Sequence, residues 1–288
     1  MSDFWRRVIR SAPVIAIVLT FAVLYRHVAT ELFRAWSTDD NYSHGFLIVP
    51  IAAYLAWERR ARFSALPQRP SWLGMVVVLA SLGMLVVGTL GAELFLTRVS
   101  MIGVLAGAIL FLGGWGQLRV MAFPVGFLLL MIPLPALIFN QIAFPLQLLA
   151  SQAGATAVSA FGVPVLREGN LIVLSYATLE VAEACSGIRS LVSLITLGVV
   201  YGYFIDPRAW MRIAIVISTV PVAILANAVR VAGTGVAAEY LGAQSAEGFF
   251  HGFSGWAVFL VACGALIGIH HLLLTSVRLT GRLRMRAA

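Results

Sequence analysis

Three side chains that can take part in nucleophilic catalysis stand at the ends of long apolar segments. Cys185 begins the segment that runs to about residue 205, and Arg230 ends the next one, which begins near Trp210. His251 immediately precedes the last apolar segment. About twenty residues at 1.5 Å each span about 30 Å, the thickness of a hydrocarbon core. We therefore expect a thiol, a guanidinium and an imidazole at the same membrane face.

These three groups have complementary chemical roles. A helix N-terminus and a neighbouring cation would both favour the thiolate form of Cys185, which is the form that attacks a carbonyl carbon. His251 could take up the thiol proton and later donate it to a leaving amine. Arg230 stays charged and carries five donors, so it could hold an oxyanion or a carboxylate but cannot act as a base.

Further polar residues could support this set. Asn227 lies three residues before Arg230 on the same helical face and could orient its guanidinium. Arg189 lies four residues after Cys185 and could add positive potential there. Glu183 could form an ion pair with either arginine.

Three other histidines lie in sequence patterns that indicate a function less specifically. His44 lies in the run Tyr42-Ser43-His44-Gly45, which opens the second apolar segment at the same face. It could help to bind a substrate, although a helix cap formed by Ser43 explains the run as simply. His270 and His271 lie near the inner end of the last segment, where we expect them to be interfacial.

Each catalytic candidate also has a structural explanation. A thiol at a helix start is often an ordinary packed residue, an arginine at a membrane boundary can snorkel, and histidines are common in loops. The run Gly252-Phe253-Ser254-Gly255 matches the serine motif of rhomboid proteases, but the histidines downstream lie about 24–26 Å further along the same helix. We interpret Ser254 and Gly255 as helix-start and packing residues, and Cys263, inside an apolar run, as an inert buried thiol.

The composition requires a membrane around these segments. The 288 residues are 60% hydrophobic and only 11% charged, with a mean hydropathy of +0.94. A soluble domain carries about 25% charged residues and could not cover so much apolar surface. The net charge of +8 comes from arginines in short runs between apolar segments, which is a membrane-topology pattern and not a nucleic-acid-binding face.

The chain is predicted to form an all-α polytopic membrane protein with about eight transmembrane helices. Between the fifth and sixth spans, residues 140–161 could form an interfacial amphipathic helix, and residues 163–181 a small β-hairpin around the turn Glu168-Gly169-Asn170. We expect one domain over residues 1–288. The predicted spans lie near 11–29, 44–58, 72–91, 98–115, 118–138, 187–205, 210–230 and 253–274.

The arginines predict the orientation. With both termini in the cytoplasm, 14 of the 20 arginines fall on the inner side and 9 of the 12 acidic residues on the outer side. This distribution follows the positive-inside rule, which an odd number of spans would violate at the C-terminal arginine cluster.

Four sequence blocks resemble the exosortase/archaeosortase family, and the similarity covers nearly the whole chain. The first of them is the most specific. The blocks are Glu183-Ala184-Cys185-Ser186-Gly187-Ile188-Arg189-Ser190, Asn227-Ala228-Val229-Arg230-Val231, His251-Gly252-Phe253-Ser254-Gly255-Trp256, and Asn41-Tyr42-Ser43-His44-Gly45 with Pro50.

The resemblance implies a membrane-embedded cysteine transpeptidase or protease. Cys185 would be the nucleophile, Arg230 a catalytic arginine and His251 the third member, as in bacterial exosortases. The implied substrates are exported proteins with a C-terminal signal made of a short Pro-Glu-Pro type motif, a transmembrane helix and a basic tail. The implied location is the bacterial inner membrane, with the active site on the periplasmic face. The acceptor nucleophile stays open.

Two other functions are compatible with the residues alone. A transporter or flippase for a lipid-linked glycan in exopolysaccharide assembly would use Arg230 and the outer acids and would need no thiol. A non-catalytic assembly scaffold would tolerate changes at all three polar residues. Apart from membrane lipid and the substrate protein, we expect no nucleic acid partner, no cofactor and no metal, since no cluster has metal-ligand spacing.

Overall fold

The computed structural model describes residues 3–175, 178–181, 187–242 and 249–287. It does not describe the side chains of residues 3–14, 179, 241, 249–254 and 280–287. Backbone contacts divide the chain into two compact units, Met1–Pro135 and Ala136–Ala288. Both units are built mainly from helices.

The first unit contains five helices and two short 3₁₀ turns within its described residues. The 3₁₀ turns are Asp40–Tyr42 and Leu128–Met131. The helices are α1 (Asp3–Thr38), α2 (Gly45–Glu58), α3 (Arg60–Ala65), α4 (Trp72–Leu90) and α5 (Leu94–Phe127).

Small residues let α4 and α5 pack with their backbones in close contact. A Cβ atom on Gly74 would lie 2.5 Å from the Cα of Phe111 and 2.7 Å from the carbonyl oxygen of Gly107. A Cβ atom on Gly103 would clash with the side chain of Ser81. Gly103 and Gly107 are four residues apart on α5, and this spacing suits close helix pairing in a membrane.

The chain reverses direction inside α5 at Gly114. This glycine has φ 82° and ψ −177°, values outside the helical region. Tyr25 and Trp36 are only about 16 Å apart along α1, yet they contact Ser100 and Met131, which would be about 46 Å apart along a straight helix. The contacts are Tyr25 Oη–Ser100 Oγ, at 3.1 Å, and Trp36 Nε1–Met131 O, at 2.9 Å. The α5 segment therefore consists of two helical runs in opposite directions.

The second run of α5 lies antiparallel to α2. At one end the imidazole Nε2 of His44 donates to the carbonyl oxygen of Leu130, at 3.2 Å. At the other end Arg59 donates to the carbonyl oxygen of Val120, at 2.9 Å. The reversal agrees with the two separate segments, 98–115 and 118–138, that the sequence predicts.

The second unit consists of four helices and a small sheet within its described residues. The helices are α6 (Ala136–Ala160), α7 (Ile188–Ile205), α8 (Ala209–Leu241) and α9 (Phe249–Ala287). The α8 helix packs against each of the other three. It therefore contributes to every part of this unit's described helical core.

The predicted hairpin between α6 and α7 is confirmed, and a third strand extends it. Strands β1 (Leu166–Glu168), β2 (Leu171–Val173) and β3 (Thr178–Glu180) form an antiparallel sheet in chain order. Gly169 adopts φ 65° in the turn. Its carbonyl oxygen accepts a hydrogen bond from Ser151 of α6, at 2.8 Å, which attaches the hairpin to that helix.

Six helices among the described residues are long and apolar enough to cross a membrane. An all-α polytopic membrane protein fits this finding, but the count of eight spans is not confirmed. The predicted second span, α2, has 14 residues, which is short for a crossing. The segment Leu94–Met131 counts as one of the six although it contains the reversal. The eight-span topology and the single domain over residues 1–288 stay predictions.

Candidate active site

Two successive turns of α8 carry the first described part of the site. Asn227 is only 4% exposed, and Arg230, one turn later, is half-buried. Because residues three apart share a helical face, both side chains project from the same side of α8. Asn227 meets the residue before α7, and Arg230 meets the first turns of α9.

Asn227 packs directly on Gly187, the residue that precedes α7. Gly187 has φ 80°, a conformation that glycine adopts without strain. A Cβ atom there would lie 2.8 Å from Cγ and 3.1 Å from Nδ2 of Asn227, so only glycine fits. Cys185 stands two residues earlier in the sequence, but Cys185 and Glu183 both lie outside the described residues.

Arg230 packs on Gly255 of α9. A Cβ atom on Gly255 would lie 3.5 Å from the guanidinium carbon of Arg230, which is ordinary van der Waals contact. His251 stands one helical turn before Gly255, in the first turn of α9. The described part of the chain does not include the His251 side chain. Thus α8 contacts one glycine shortly after Cys185 and another shortly after His251.

Buried residues hold the chain on both sides of the segment that contains Cys185. Val181 is 2% exposed and its backbone N–H donates to the carbonyl oxygen of Asn170, at 2.9 Å. Its side chain belongs to an apolar cluster that includes Val231 of α8. On the other side, Ile188 is 1% exposed. Arg189 follows it, half-buried in the first turn of α7.

His44 lies in the first unit, as the cap residue before α2. Because a carbonyl oxygen only accepts hydrogen bonds, the contact with Leu130 places a proton on Nε2 of His44. The imidazole thereby connects the start of α2 to the end of the second α5 run. Its part in substrate binding stays a prediction.

The second unit contains another polar cluster, at the end of α7 away from Gly187. The imidazole Nδ1 of His270 is 2.9 Å from the hydroxyl of Tyr201, and its Nε2 is 3.8 Å from Oδ2 of Asp206. His270 is 2% exposed, so its side chain is buried in the protein, and its expected place at the membrane interface stays a prediction. Asp206 directly follows the last residue of α7, so this cluster lies where α7 ends.

Asp206 is fixed by the residues that follow it. Arg208 donates from Nε at 2.9 Å and from Nη2 at 2.6 Å to the two carboxylate oxygens, while Arg212 donates to the backbone carbonyl of Asp206 at 2.7 Å. The hydrogen bonds from Arg208 hold the pKa of Asp206 well below its usual range. This cluster is separate from the candidate site, since Gly255 and His270 are 15 residues apart on α9, about 22 Å along the helix.

Sequence reasoning alone did not assign specific contacts to Gly187 and Gly255. Both occur in the blocks around Cys185 and His251, but a single sequence does not show which element a glycine faces. Cys263, predicted to be an inert buried thiol, is free and half-buried against the apolar cluster of α7, α8 and α9.

The described groups are suited to binding a developing negative charge. Arg230 supplies a permanent cation beside the first turns of α9, and Asn227, one turn earlier on α8, contacts the residue that precedes α7. No curated protein and no solved structure gave a significant match to the chain. The family model described as transmembrane exosortase (Exosortase_EpsH) matches residues 36–268, which is most of the chain. This protein therefore belongs to the transmembrane exosortase family.

Proposed function

We propose that this protein is a membrane-embedded cysteine transpeptidase or protease that cleaves C-terminal sorting signals of exported proteins. The observation that carries the proposal is the pair of contacts made by one face of α8. Asn227 contacts Gly187, two residues after Cys185, and Arg230 contacts Gly255, one turn after His251. Family membership supports the same class of activity.

Chain geometry favours the placement of Cys185 in this site. Two residues span at most about 7 Å between Cα atoms. The thiol is therefore attached close to Gly187, which touches the turn of α8 before Arg230. The N-terminus of α7 and the guanidinium would both stabilise a thiolate there.

The proposed reaction has two steps. In the first, the Cys185 thiolate attacks the carbonyl carbon of the scissile peptide bond, and Arg230 stabilises the oxyanion. The C–N bond then breaks, His251 protonates the leaving amine, and a thioester to Cys185 remains. In the second step an acceptor amine or water attacks the thioester and regenerates the thiol.

The substrate's own membrane helix and basic tail would set the position of the cut. We propose that its basic tail stays on the cytoplasmic side, because basic residues that flank a membrane helix remain on that side by the positive-inside rule. The scissile bond then lies near the periplasmic face of the inner membrane, at the level proposed for Cys185, Arg230 and His251.

The chain provides its own matched control for the test, since it has a second cysteine. Candidate substrates are co-expressed with wild-type protein, Cys185→Ala or Cys263→Ala, and their C-termini are compared by mass spectrometry. We expect processing by the wild type and by Cys263→Ala, and none by Cys185→Ala at equal membrane abundance. Processing by Cys185→Ala would rule out the proposal and favour a function that needs no thiol, such as glycan transport.

A further inference from the structure

The guanidinium of Arg230 lies flat against the backbone of α9 at Gly255. A Cβ atom built on Gly255 would lie 3.5 Å from Cζ, 3.6 Å from Nη2 and 3.8 Å from Nε of Arg230. Because these three distances are nearly equal and Cζ is the nearest atom, the built Cβ of Gly255 lies above the face of the planar guanidinium and not at its edge. The N–H donors of an arginine lie in this plane, so they point along the α9 surface and not into it.

This arrangement depends on the size of the residue at position 255. A methyl group at 3.5 Å from Cζ would be in ordinary contact, so alanine leaves the guanidinium in place. A branched side chain would occupy the space of the guanidinium and force Arg230 to tilt or to move outward. The tilt would redirect all of its donors at once, because they are held in one plane.

We propose that Gly255 is a positioning residue that seats the Arg230 guanidinium against α9. Because His251 lies one helical turn before Gly255 in the sequence of α9, this contact fixes the position of the cation relative to the turn that carries His251. The proposal rests on the proposed peptidase function for its catalytic consequence. Its structural part concerns only Arg230 and Gly255.

The activity test uses a graded series at position 255. A displacement of about 1 Å at a catalytic group can cost about 100-fold in rate. We expect Gly255→Ala to process a substrate within about threefold of the wild-type rate and Gly255→Leu to be slower by about 10- to 100-fold. The matched control is Gly264→Leu on the same helix, because Gly264 has no atom within 4 Å of a built Cβ.

Chemical rescue separates positioning from general damage to the helix. In Arg230→Ala, added guanidinium ion should restore part of the lost activity by binding in the vacated space. The leucine of the double variant Arg230→Ala/Gly255→Leu would fill that space and prevent the restoration. The proposal is overturned by equal rescue of both variants, by wild-type activity of Gly255→Leu, or by an equal loss in Gly264→Leu.

A stability measurement tests the contact between Arg230 and Gly255 without an activity assay. In the wild-type background, which keeps Arg230, Gly255→Leu should lower the thermal unfolding midpoint by about 3–10 °C. In the Arg230→Ala background the same substitution should have little effect, because no guanidinium is present to clash with the leucine. If the effects of Gly255→Leu and Arg230→Ala on the unfolding midpoint simply add in the double variant, the proposed contact between Arg230 and Gly255 is refuted. If positions 230 and 255 are coupled in stability while Cys185→Ala still processes substrate, the proposed peptidase function is refuted and the contact between Arg230 and Gly255 is retained.

Discussion

At the scale of residues, the site depends on close contacts that only residues without a large side chain permit. Gly187 has no room for a Cβ beside Asn227, and its φ of 80° disfavours any other residue. The sequence predicts Cys185, Arg230 and His251 as a set from residue type and depth. It does not predict these glycine contacts, because a glycine in a single sequence is equally consistent with a turn, a bulge or a close approach.

Gly187 can be compared with Gly162, which has the same φ of 80° but no atom within 4 Å of a built Cβ. Both Gly→Ala variants acquire backbone strain of about 1–2 kcal/mol. Only Gly187→Ala also clashes with Asn227, so we expect it alone to lose processing, by about tenfold or more. Substrate processing rates at matched abundance measure the difference. Equal rates in the two variants would refute a special role for the Gly187 contact.

Asp206 gives a pH-dependent prediction at the same scale. The hydrogen bonds from Arg208 lower the pKa of the folded carboxyl below its ordinary value of 3.8. A depressed pKa means that the carboxylate stabilises the fold at pH values above about 4 and that this contribution is lost as the pH falls further. We expect Asp206→Asn to lower the thermal unfolding midpoint at pH 7 and the difference from wild type to shrink on acidification to about pH 3. A difference independent of pH would contradict this assignment.

At the scale of elements, helix pairing determines where the polar groups lie. The α8 helix carries Asn227 and Arg230 at one level and begins beside Asp206 at the other, so packing along this helix separates the two polar clusters. The hydropathy pattern predicts these apolar helices well, because their length and composition are local properties. It does not predict which faces meet, since lipid-facing and protein-facing residues are equally apolar here.

The close pairing of α4 and α5 predicts a clear contrast between two glycines of α4. Gly74 contacts the backbone of α5, whereas Gly83 faces open space. Gly74→Ala would force the helices apart and should destabilise the protein by about 1–3 kcal/mol. Gly83→Ala should be neutral or stabilise it by up to about 1 kcal/mol, because alanine favours the helix. Thermal unfolding in detergent measures both, and equal effects would contradict the observed pairing.

At the scale of the whole molecule, both described units place polar or charged groups at the two ends of apolar helices. In the first unit, Arg59 and Arg69 contact the region around Gly114, while His44 lies at the opposite end. The reversal at Gly114 divides α5 into two antiparallel helical runs, which fits the two passes that the sequence predicts there. The family match over residues 36–268 includes parts of both units. From Arg119 and the apolar runs on either side of it, the sequence predicts two passes. It does not predict that Gly114 is the residue at which the chain turns.

The reversal can be tested by labelling single cysteines in a Cys185→Ala/Cys263→Ala background. Ser43→Cys and Ala92→Cys should react with a membrane-impermeant thiol reagent from the periplasmic side. Gln68→Cys and Gly116→Cys should react only after the cytoplasmic side is opened, because Gly116 follows the turn that packs against Arg69. Labelling of Gly116→Cys and Ser43→Cys from the same side would refute the two-pass arrangement of α5.

The proposed mechanism requires that the sulfur of Cys185 carries an acyl group during the reaction. The most direct measurement is the mass of the substrate's new C-terminus after cleavage in the presence of hydroxylamine, which attacks thioesters and leaves a hydroxamate. We predict a C-terminal hydroxamate with the wild type and with Cys263→Ala, and no cleaved product with Cys185→Ala. Cleaved product from Cys185→Ala, or a carboxylate alone from the wild type at every hydroxylamine concentration, would contradict the thioester mechanism.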